Sequence, residues 1–398
     1  MNRPLTYLEF KPNQIFYING FDTDTIKDYL LPQSDARGYY GLFHAFDFVF
    51  KKTTAIPDSD RFFYPIIVSL RKIEHQIDKI NIPPLVIEKI RSGQAKILIV
   101  CPYEGWEWSY WAGLANTLKS KYNLVDSSFV MLTGNYYPNT QHTSVIYNHW
   151  ENITNDTMGI EQRQSVGVES LSKIRKNKFI CLNRRPTAAR YAIVSLLYDF
   201  KDQGILTCAK YAGYNDDYVG NQYRDFSRYF PEMTEDFSKR ISSSIPLTFE
   251  DGIDPEVENP AYDHSKDKFY DSYLYIVTET WFLEKETLFL SEKTFKPITF
   301  LQPFVIIGRP GTLKLLKSLG YKTFHEYWDE SYDDEVDDNR RLYKAVDAIK
   351  SIIKKSPQEL TDMMINMQDV LKHNFDTLKY RKSIQLENLR DDLYKALG

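Results

Sequence analysis

Short apolar runs alternate with stretches of helical periodicity along the first half of the chain. Residues 96–101 (KILIVC) form a nearly continuous apolar run, as expected for a strand covered on both faces. Residues 110–121 have the apolar spacing of a helix, and residues 128–132 (SFVML) predict a second buried strand. This order predicts βαβ units in a parallel sheet. Further strands are predicted at 15–19, 64–70 and 144–147, which are rich in β-branched and aromatic residues.

A second alternation of the same kind begins after residue 175. Strands are predicted at 178–182, 205–209, 272–278 and 303–308, and helices at 188–200, 291–300 and 312–319. Residues 152–175 carry few large apolar residues and are interpreted as a linker, and residues 215–259, which are polar and aromatic, as an irregular insertion. From Arg340 onward the pattern is mostly helical.

These patterns predict an α/β protein with two Rossmann-like domains that face a cleft. The N-terminal domain is predicted over residues 1–175, the C-terminal domain over 176–340, and a helical tail over 341–398 that packs back on the core. Ligands of open parallel sheets bind beyond the carboxyl ends of the strands. The residues that directly follow each apolar run are therefore the first candidates for chemistry.

Composition and charge narrow the class of protein. The 398 residues are 42% hydrophobic and 26% charged, which is typical of a globular chain. The net charge of −4 gives no overall positive field for binding nucleic acid. No apolar run approaches the roughly 18 residues of a membrane span, and the first ten residues lack the pattern of a signal peptide. Cys101, Cys181 and Cys208 lie in or beside apolar runs, which favours buried thiols and a cytoplasmic location.

Two strand ends in the second half carry groups suited to a nucleotide. Arg184 and Arg185 follow the strand at 178–182 and precede a helix, and paired guanidiniums beside a helix N-terminus suit an anion such as pyrophosphate. The alternative is a solvated or carboxylate-paired loop. Glu279 and Thr280 follow the strand at 272–278, where a carboxylate can accept hydrogen bonds from ribose hydroxyls. A helix cap or a salt bridge is the alternative for Glu279.

A third group lies at the start of the helix predicted at 291–300. Ser291 is a suitable N-cap, and Glu292 suits the first turn. Lys293 is disfavoured so close to a helix N-terminus, unless an anionic ligand also binds there. A simple surface pair between Glu292 and Lys293 is the alternative.

The segment from Tyr275 to Pro310 resembles the donor-binding core of GT-B glycosyltransferases of the α1,3-fucosyltransferase type. The similarity covers about 35 residues. Three short segments match the family pattern. They are Glu279-Thr280 in the turn after the first strand, Ser291-Glu292-Lys293 at the start of a helix, and residues 302–305 (QPFV) at the following strand. The family has Asn at the position of Thr280, which leaves the nucleotide and the sugar open. The arrangement is also similar to glycosyltransferase-like proteins encoded by large phages.

The resemblance implies a GT-B fold and transfer of a sugar from a nucleotide-diphosphate sugar to a hydroxyl of an acceptor glycan. Lys293 and Arg184 would contact the diphosphate, and Glu292 or Glu279 the ribose. Inversion at the anomeric carbon, and catalysis without a metal or other cofactor, follow from the same resemblance. Two alternatives stay open. The acceptor could be a hydroxymethylated base of DNA, or the protein could bind nucleotide sugars or carbohydrates without catalysis.

Such a transfer needs a base for the acceptor hydroxyl, expected from the N-terminal half. Glu104 is the first candidate because it follows the most apolar strand and precedes Gly105. His44 and Asp47, three residues apart, are a second candidate pair, and His149 is a weaker one. Each also has a structural interpretation, as a loop carboxylate or as a histidine bonded within the core.

Three acidic or histidine-containing segments superficially resemble metal sites. Asp216-Asp217 and Asp333-Asp334 are acidic pairs, but their polar surroundings favour solvated loops. His325 has no second histidine at ligand spacing. The sequence therefore predicts no metal site.

Overall fold

The structure is a computed structural model. It describes residues 15–18, 50–53, 61–67, 80–102, 105, 108–136, 142–157, 171–184, 186–209, 216–247, 266–283 and 288–398. Elements are numbered in chain order within these ranges. By contacts, the chain divides into two compact units, the first formed by residues 1–153, 286–289 and 380–398, and the second by 154–285 and 290–379. The domain boundaries expected from the sequence stay predictions.

Unit 1 contains a parallel six-stranded sheet. Its strands are β1 (Ile15–Ile18), β2 (Phe50–Thr53), β3 (Phe62–Ile67), β4 (Ala95–Cys101), β5 (Phe129–Thr133) and β7 (Thr143–Ile146), in the order β2-β1-β3-β4-β5-β7. Every neighbouring pair is parallel. The helices α1 (Pro84–Arg91) and α2 (Trp108–Tyr122) alternate with these strands, which confirms the βαβ pattern predicted for this half.

Unit 2 contains a second parallel sheet. Its strands are β8 (Asn177–Cys181), β9 (Ile205–Leu206), β10 (Ser272–Thr278) and β12 (Phe304–Ile307), in the order β12-β10-β8-β9. The helices α4 (Ala188–Leu197) and α8 (Glu292–Thr299) lie between successive strands of this sheet, and α9 (Thr312–Ser318) follows its last strand, β12. All seven residues of β10 are buried, because the strand lies inside the sheet with both faces covered.

Two segments that the sequence predicted to be a linker and an irregular insertion form helices. The helix α3 (His149–Thr157) occupies the start of the predicted linker. Its buried positions include polar Asn152 and Asn155, whose amides donate to Gln385 Oε1 at 3.0 Å and to the Leu378 carbonyl at 2.8 Å. The buried face of this helix therefore includes polar side chains that make hydrogen bonds. A search for apolar periodicity does not detect a face of this kind.

The predicted insertion also forms helices, α5 (Asp216–Tyr229) and α6 (Pro231–Asp236). Their buried side chains are largely aromatic. The ring of Phe226 lies 5.8 Å from that of Tyr191 and 5.2 Å from that of Phe237. Phe226 and Phe230 are four residues apart and fully buried, so the aromatic residues form one helical face rather than an irregular segment.

The C-terminal region is helical, as predicted. Its helices are α10 (Asp338–Ile353), α11 (Pro357–Asn366) and α12 (Gln368–Leu397), and the remaining short helix α7 (Lys266–Tyr270) precedes β10. The chain from residue 380 onward, which includes the second part of α12, belongs to unit 1, where Leu389 and Leu393 join the core of the six-stranded sheet. Among the described helices, none is long and apolar enough to cross a membrane.

A short antiparallel ribbon in unit 1 directly precedes α8 in the chain. It pairs β6 (Asn135–Tyr136) with β11 (Leu288–Phe289). A Cβ at Gly134 would lie 2.4 Å from the Pro102 carbonyl oxygen and 2.8 Å from the Phe289 ring, so this position needs glycine.

Candidate functional site

The order of strands in unit 2 locates a crevice at one edge of its sheet. The chain passes from β8 to β9 on one side and then to β10 on the other side of β8. In doubly wound sheets, ligands bind at such a switch point, beyond the carboxyl ends of the strands that flank it. Asn183 and Arg184 follow β8, and Glu279 and Thr280 follow β10. The topology therefore places two of the predicted segments at neighbouring strand ends.

Buried polar contacts join the strand ends beneath this edge. The Asn183 amide oxygen accepts a hydrogen bond from the Thr278 hydroxyl at 2.8 Å, and its amide nitrogen donates to the Thr207 carbonyl at 3.1 Å. Arg190, on the first turn of α4, is 3% exposed and donates from Nη2 to the Thr278 carbonyl at 3.1 Å. These contacts fix the relative positions of β8, β9 and β10, and they place a positive charge under the site.

Glu279 binds the start of α8. Its Oε1 accepts from the Ser291 N–H at 3.1 Å and the Thr294 hydroxyl at 2.5 Å. Its Oε2 accepts from the Ser291 hydroxyl at 2.6 Å and the Thr280 N–H at 3.1 Å. A carboxylate has about four acceptor positions, so these bonds occupy the group. The contacts are those of the helix-cap interpretation, and ribose binding by Glu279 stays a prediction.

The Lys293 ammonium lies where the helix dipole disfavours it. Lys293 Nζ is 3.0 Å from the Ser291 hydroxyl, 3.0 Å from Glu292 Oε1 and 3.4 Å from the Thr280 hydroxyl. Ser291 caps α8 as predicted, because its hydroxyl accepts from the Lys293 N–H. The structure thus places three predicted residues, Thr280, Ser291 and Glu292, around the ammonium of a fourth, Lys293.

The carboxylate of Glu292 is held in its charged form. Burial alone would raise its pKa, but the Lys293 ammonium, the residue's own N–H and the Arg190 guanidinium together hold that pKa below its usual value. The side chains of Lys293 and Glu292 keep 21% and 25% of their surface exposed. The ion pair named as an alternative is therefore present, and solvent reaches both of its members.

A buried arginine from α10 fixes the loop that follows β10. Arg341 is 2% exposed, and its Nη2 donates to the Phe282 carbonyl at 2.9 Å and to Asp338 Oδ1 at 2.5 Å. Its Nε donates to the Gly308 carbonyl at 3.0 Å, at the end of β12. The guanidinium also lies 4.3 Å from the centre of the Phe282 ring. One side chain therefore holds the ends of two neighbouring strands.

The remaining predicted site residues divide into two groups. Arg184 is exposed, and within the described ranges its side chain shows no ion pair. Arg185 and the three proposed bases, Glu104, Asp47 and His44, lie outside the described residues. Their roles stay predictions.

Of the acidic pair at 333 and 334, Asp334 is exposed as predicted, but Asp333 is not part of a solvated loop. Asp333 is 7% exposed, and its carboxylate accepts from the N–H groups of Leu313 and Lys314 at 2.9 and 3.0 Å. It therefore closes the N-terminus of α9. His149 is 1% exposed and His325 is exposed. Within the described part of the chain, no group of three His, Cys, Asp or Glu side chains is arranged to hold a metal.

Sequence reasoning missed Arg190, Arg341 and Lys296. All three are charged side chains inside helices and at least nine-tenths buried. Lys296, on α8, lies 4.6 Å from the centre of the Phe269 ring. One signal was present in the sequence, namely a charged residue among the apolar residues of a predicted helix. Arg190 within AARYAIVSLL is an example.

Comparisons with known proteins leave the family of this chain open. The sequence matches no protein-family model, and a search of curated proteins finds no significant match. Among solved structures, a crystal structure of alpha1,3-fucosyltransferase aligns with 97% of this chain and 93% of its own, at 10% identity and a TM-score of 0.41. Similarity at this level does not show a shared fold, and function has to be argued from the site itself.

Proposed function

We propose that the protein is a glycosyltransferase whose unit 2 binds a nucleotide-diphosphate sugar at the carboxyl edge of β8 and β10. One observation carries the proposal. The Lys293 ammonium lies at this edge, partly exposed, beside the capped N-terminus of α8. A cation at this place suits a diphosphate, which gains from the ammonium and from the positive end of the helix at once.

The assigned roles follow from the contacts of each side chain. The diphosphate takes the place of Glu292 beside Lys293, and Glu292 becomes available to ribose hydroxyls. Glu279 organises the site rather than binding the donor, because its four acceptor positions hold Ser291, Thr294 and Thr280. Arg184 is exposed at the end of β8 and supplies a second positive charge.

The proposed reaction is a direct displacement in the GT-B manner, with inversion at the anomeric carbon. A base takes the proton from the acceptor hydroxyl as its oxygen attacks the sugar. Glu104, Asp47 and His44 remain the proposed candidates for this base. Lys293 and Arg184 stabilise the negative charge that develops on the departing diphosphate, in place of a metal. The proposed acceptor is a hydroxyl of a glycan.

Thermal unfolding with GDP, UDP, CDP and dTDP tests donor binding. A ligand present at 100 times its Kd adds about 2.7 kcal/mol to the free energy of unfolding, so the matching nucleotide raises the Tm clearly. We expect one nucleoside diphosphate to give the largest shift. No shift with any of the four would contradict the proposal.

Lys293→Ala tests the residue that carries the proposal. We expect it to abolish the Tm shift with the matching nucleotide and to leave the far-ultraviolet circular dichroism of the free protein unchanged, because the side chain is partly exposed. Lys372→Ala is the matched control, since Lys372 is an exposed lysine on α12. Equal nucleotide affinity in the two variants would show that Lys293 does not contact the nucleotide.

Release of nucleoside diphosphate from the nucleotide sugar separates a transferase from a binding protein. We expect acceptor-dependent release with glycan acceptors. Release that depends instead on hydroxymethylated DNA would assign the other acceptor class. Tight binding without release, with any acceptor, would favour a non-catalytic binding protein.

A further inference from the structure

Trp281 is a large aromatic residue at the proposed site, and its indole N–H has no hydrogen-bond acceptor among the described residues. It follows Thr280 at the carboxyl end of β10 and is partly exposed. The indole N–H itself is buried. Trp side chains usually find an acceptor for this group when it is buried. The contacts within the described part of the chain therefore do not explain the placement of this side chain.

A second tryptophan of unit 2 shows the contrast. Trp328 also has an indole N–H without an acceptor in the described ranges, but it is 6% exposed and its ring stacks on Phe324 at 4.9 Å. Packing in the core accounts for Trp328. For Trp281, no ring contact with any described side chain is found, so part of its indole surface is available to a ligand.

The residues on either side of Trp281 are held by specific contacts. Thr280 donates its N–H to Glu279 at 3.1 Å, and its hydroxyl lies 3.4 Å from Lys293 Nζ. Phe282 is 4% exposed, its carbonyl accepts from Arg341 at 2.9 Å, and its ring lies beneath the guanidinium. The backbone at Trp281 is thus positioned before any ligand binds, which lowers the entropic cost of using the indole for recognition.

We propose that Trp281 stacks on the base of the nucleotide whose diphosphate binds Lys293. This inference rests on the proposed function and extends it to a residue that recognises the base. The indole belongs to the residue next to Thr280, about 3.8 Å along the chain between Cα atoms, and Thr280 touches the ammonium. A diphosphate at Lys293 therefore brings its nucleoside within reach of a fixed aromatic surface. Stacking of this kind tolerates different bases, since each base has a π face.

Titration calorimetry with Trp281→Ala and Trp281→Phe tests the proposal. The ligands are the matching nucleoside diphosphate and its nucleotide sugar. We expect Trp281→Ala to weaken both by roughly 10- to 100-fold, the range typical of stacking on one base, and Trp281→Phe to recover most of the affinity. Tyr229→Ala is the matched control, because Tyr229 is a 39% exposed aromatic residue of the same unit. It should bind as the wild type does.

Intrinsic fluorescence supplies a readout that a purely structural role would not change. We expect the nucleotide to quench the tryptophan emission of the wild type and of Tyr229→Ala, and to quench that of Trp281→Phe much less, although this variant still binds.

Three outcomes separate this inference from the proposed function. If wild type and Trp281→Ala bind the nucleoside diphosphate equally while Lys293→Ala does not, the stacking role is wrong and the proposed function stands. If Trp281→Ala weakens only the nucleotide sugar, the indole contacts the sugar, and base stacking is wrong. If the wild type binds no nucleoside diphosphate, the proposed function fails and the stacking role fails with it.

Discussion

Two successive helices of unit 2 begin at the same edge of one sheet, and their N-termini are closed in different ways. The first turn of α9 is bound by the buried carboxylate of Asp333, which accepts two backbone N–H groups. The first turn of α8 is capped by the neutral hydroxyl of Ser291 and carries the Lys293 ammonium. A buried internal anion therefore already complements the dipole of α9, where Lys314 in the first turn is exposed. At α8 the Lys293 ammonium is instead held against the cap itself, at the end of the helix that disfavours a cation.

The difference shows which helix start can accept a ligand. A nucleotide phosphate at α9 would have to displace a buried carboxylate that is bonded to the backbone. At α8 it would displace only Glu292, whose side chain is one-quarter exposed. Both helices have an N-terminus at this edge, so that feature alone does not distinguish α8 from α9. The positions of the charged side chains distinguish them.

Removing Arg341 is expected to have the largest effect, because it holds the strand ends that lead to both helices. Arg341→Met leaves the Phe282 and Gly308 carbonyls and the Asp338 carboxylate without their donor. Breaking a buried ionic contact from one side costs about 3 kcal/mol, so we expect the free energy of unfolding to fall by about that amount. Denaturant unfolding measures it.

Arg340→Met is the matched control for this substitution. The side chain of Arg340 precedes Arg341 in the same helix and is 69% exposed. Its loss should change the stability by less than about 0.5 kcal/mol. Similar losses of stability in the two variants would show that any arginine substitution at this place in α10 destabilises the protein. The contacts of the buried Arg341 guanidinium would then not be what stabilises the strand ends before α8 and α9.

Lys296 is a second, buried lysine of α8, and its burial is expected to destabilise the protein at neutral pH. Burial, reinforced by Lys293 and opposed by Glu292, lowers its pKa from 10.5 to about 7. Between pH 7 and pH 10.5 the Lys296 amine is therefore protonated in the unfolded chain but neutral in the folded chain. Stability from this group therefore rises between pH 7 and 10.5 and is lost as the pH falls through that window.

Lys296→Met should remove this dependence and raise the free energy of unfolding at pH 7. Methionine also keeps a favourable contact with Phe269, which now lies beneath the ammonium. Denaturant unfolding of both proteins at pH 7 and pH 9.5 is the measurement. A constant difference between them at the two pH values would show that the amine stays protonated in the folded protein.

The sequence was a good guide where apolar patterning decides the structure. The strand β10 has the predicted bounds, and α8 begins one residue after its predicted cap, because a buried run and a capping serine are local signals. The helix α3 was missed because its buried face uses Asn152 and Asn155, and α5 because its face is aromatic.

The candidate site was predictable only in part, for a similar reason. Ser291, Glu292 and Lys293 are adjacent in sequence, so their combination was visible. Arg190 and Arg341 bind the backbone carbonyls of Thr278 and Gly308, which lie far away in the sequence. Every residue has a carbonyl, so the sequence does not indicate which one an arginine will bind. The tertiary fold decides such contacts.

The smallest expected effect, and the sharpest test of the contrast between α8 and α9, is at the cap itself. Ser291→Ala removes the hydroxyl that donates to Glu279 and accepts from Lys293. The loss of an N-cap costs about 1 kcal/mol. Ser356 also caps a helix, α11, where its hydroxyl accepts from the Glu359 N–H in a capping box, and it is exposed, so Ser356→Ala should cost about 1 kcal/mol too. Only Ser291→Ala should also weaken nucleotide binding, because only there does the cap position an ammonium. Equal nucleotide affinity in the two serine variants, at equal loss of stability, would show that the start of α8 is an ordinary helix end like that of α9.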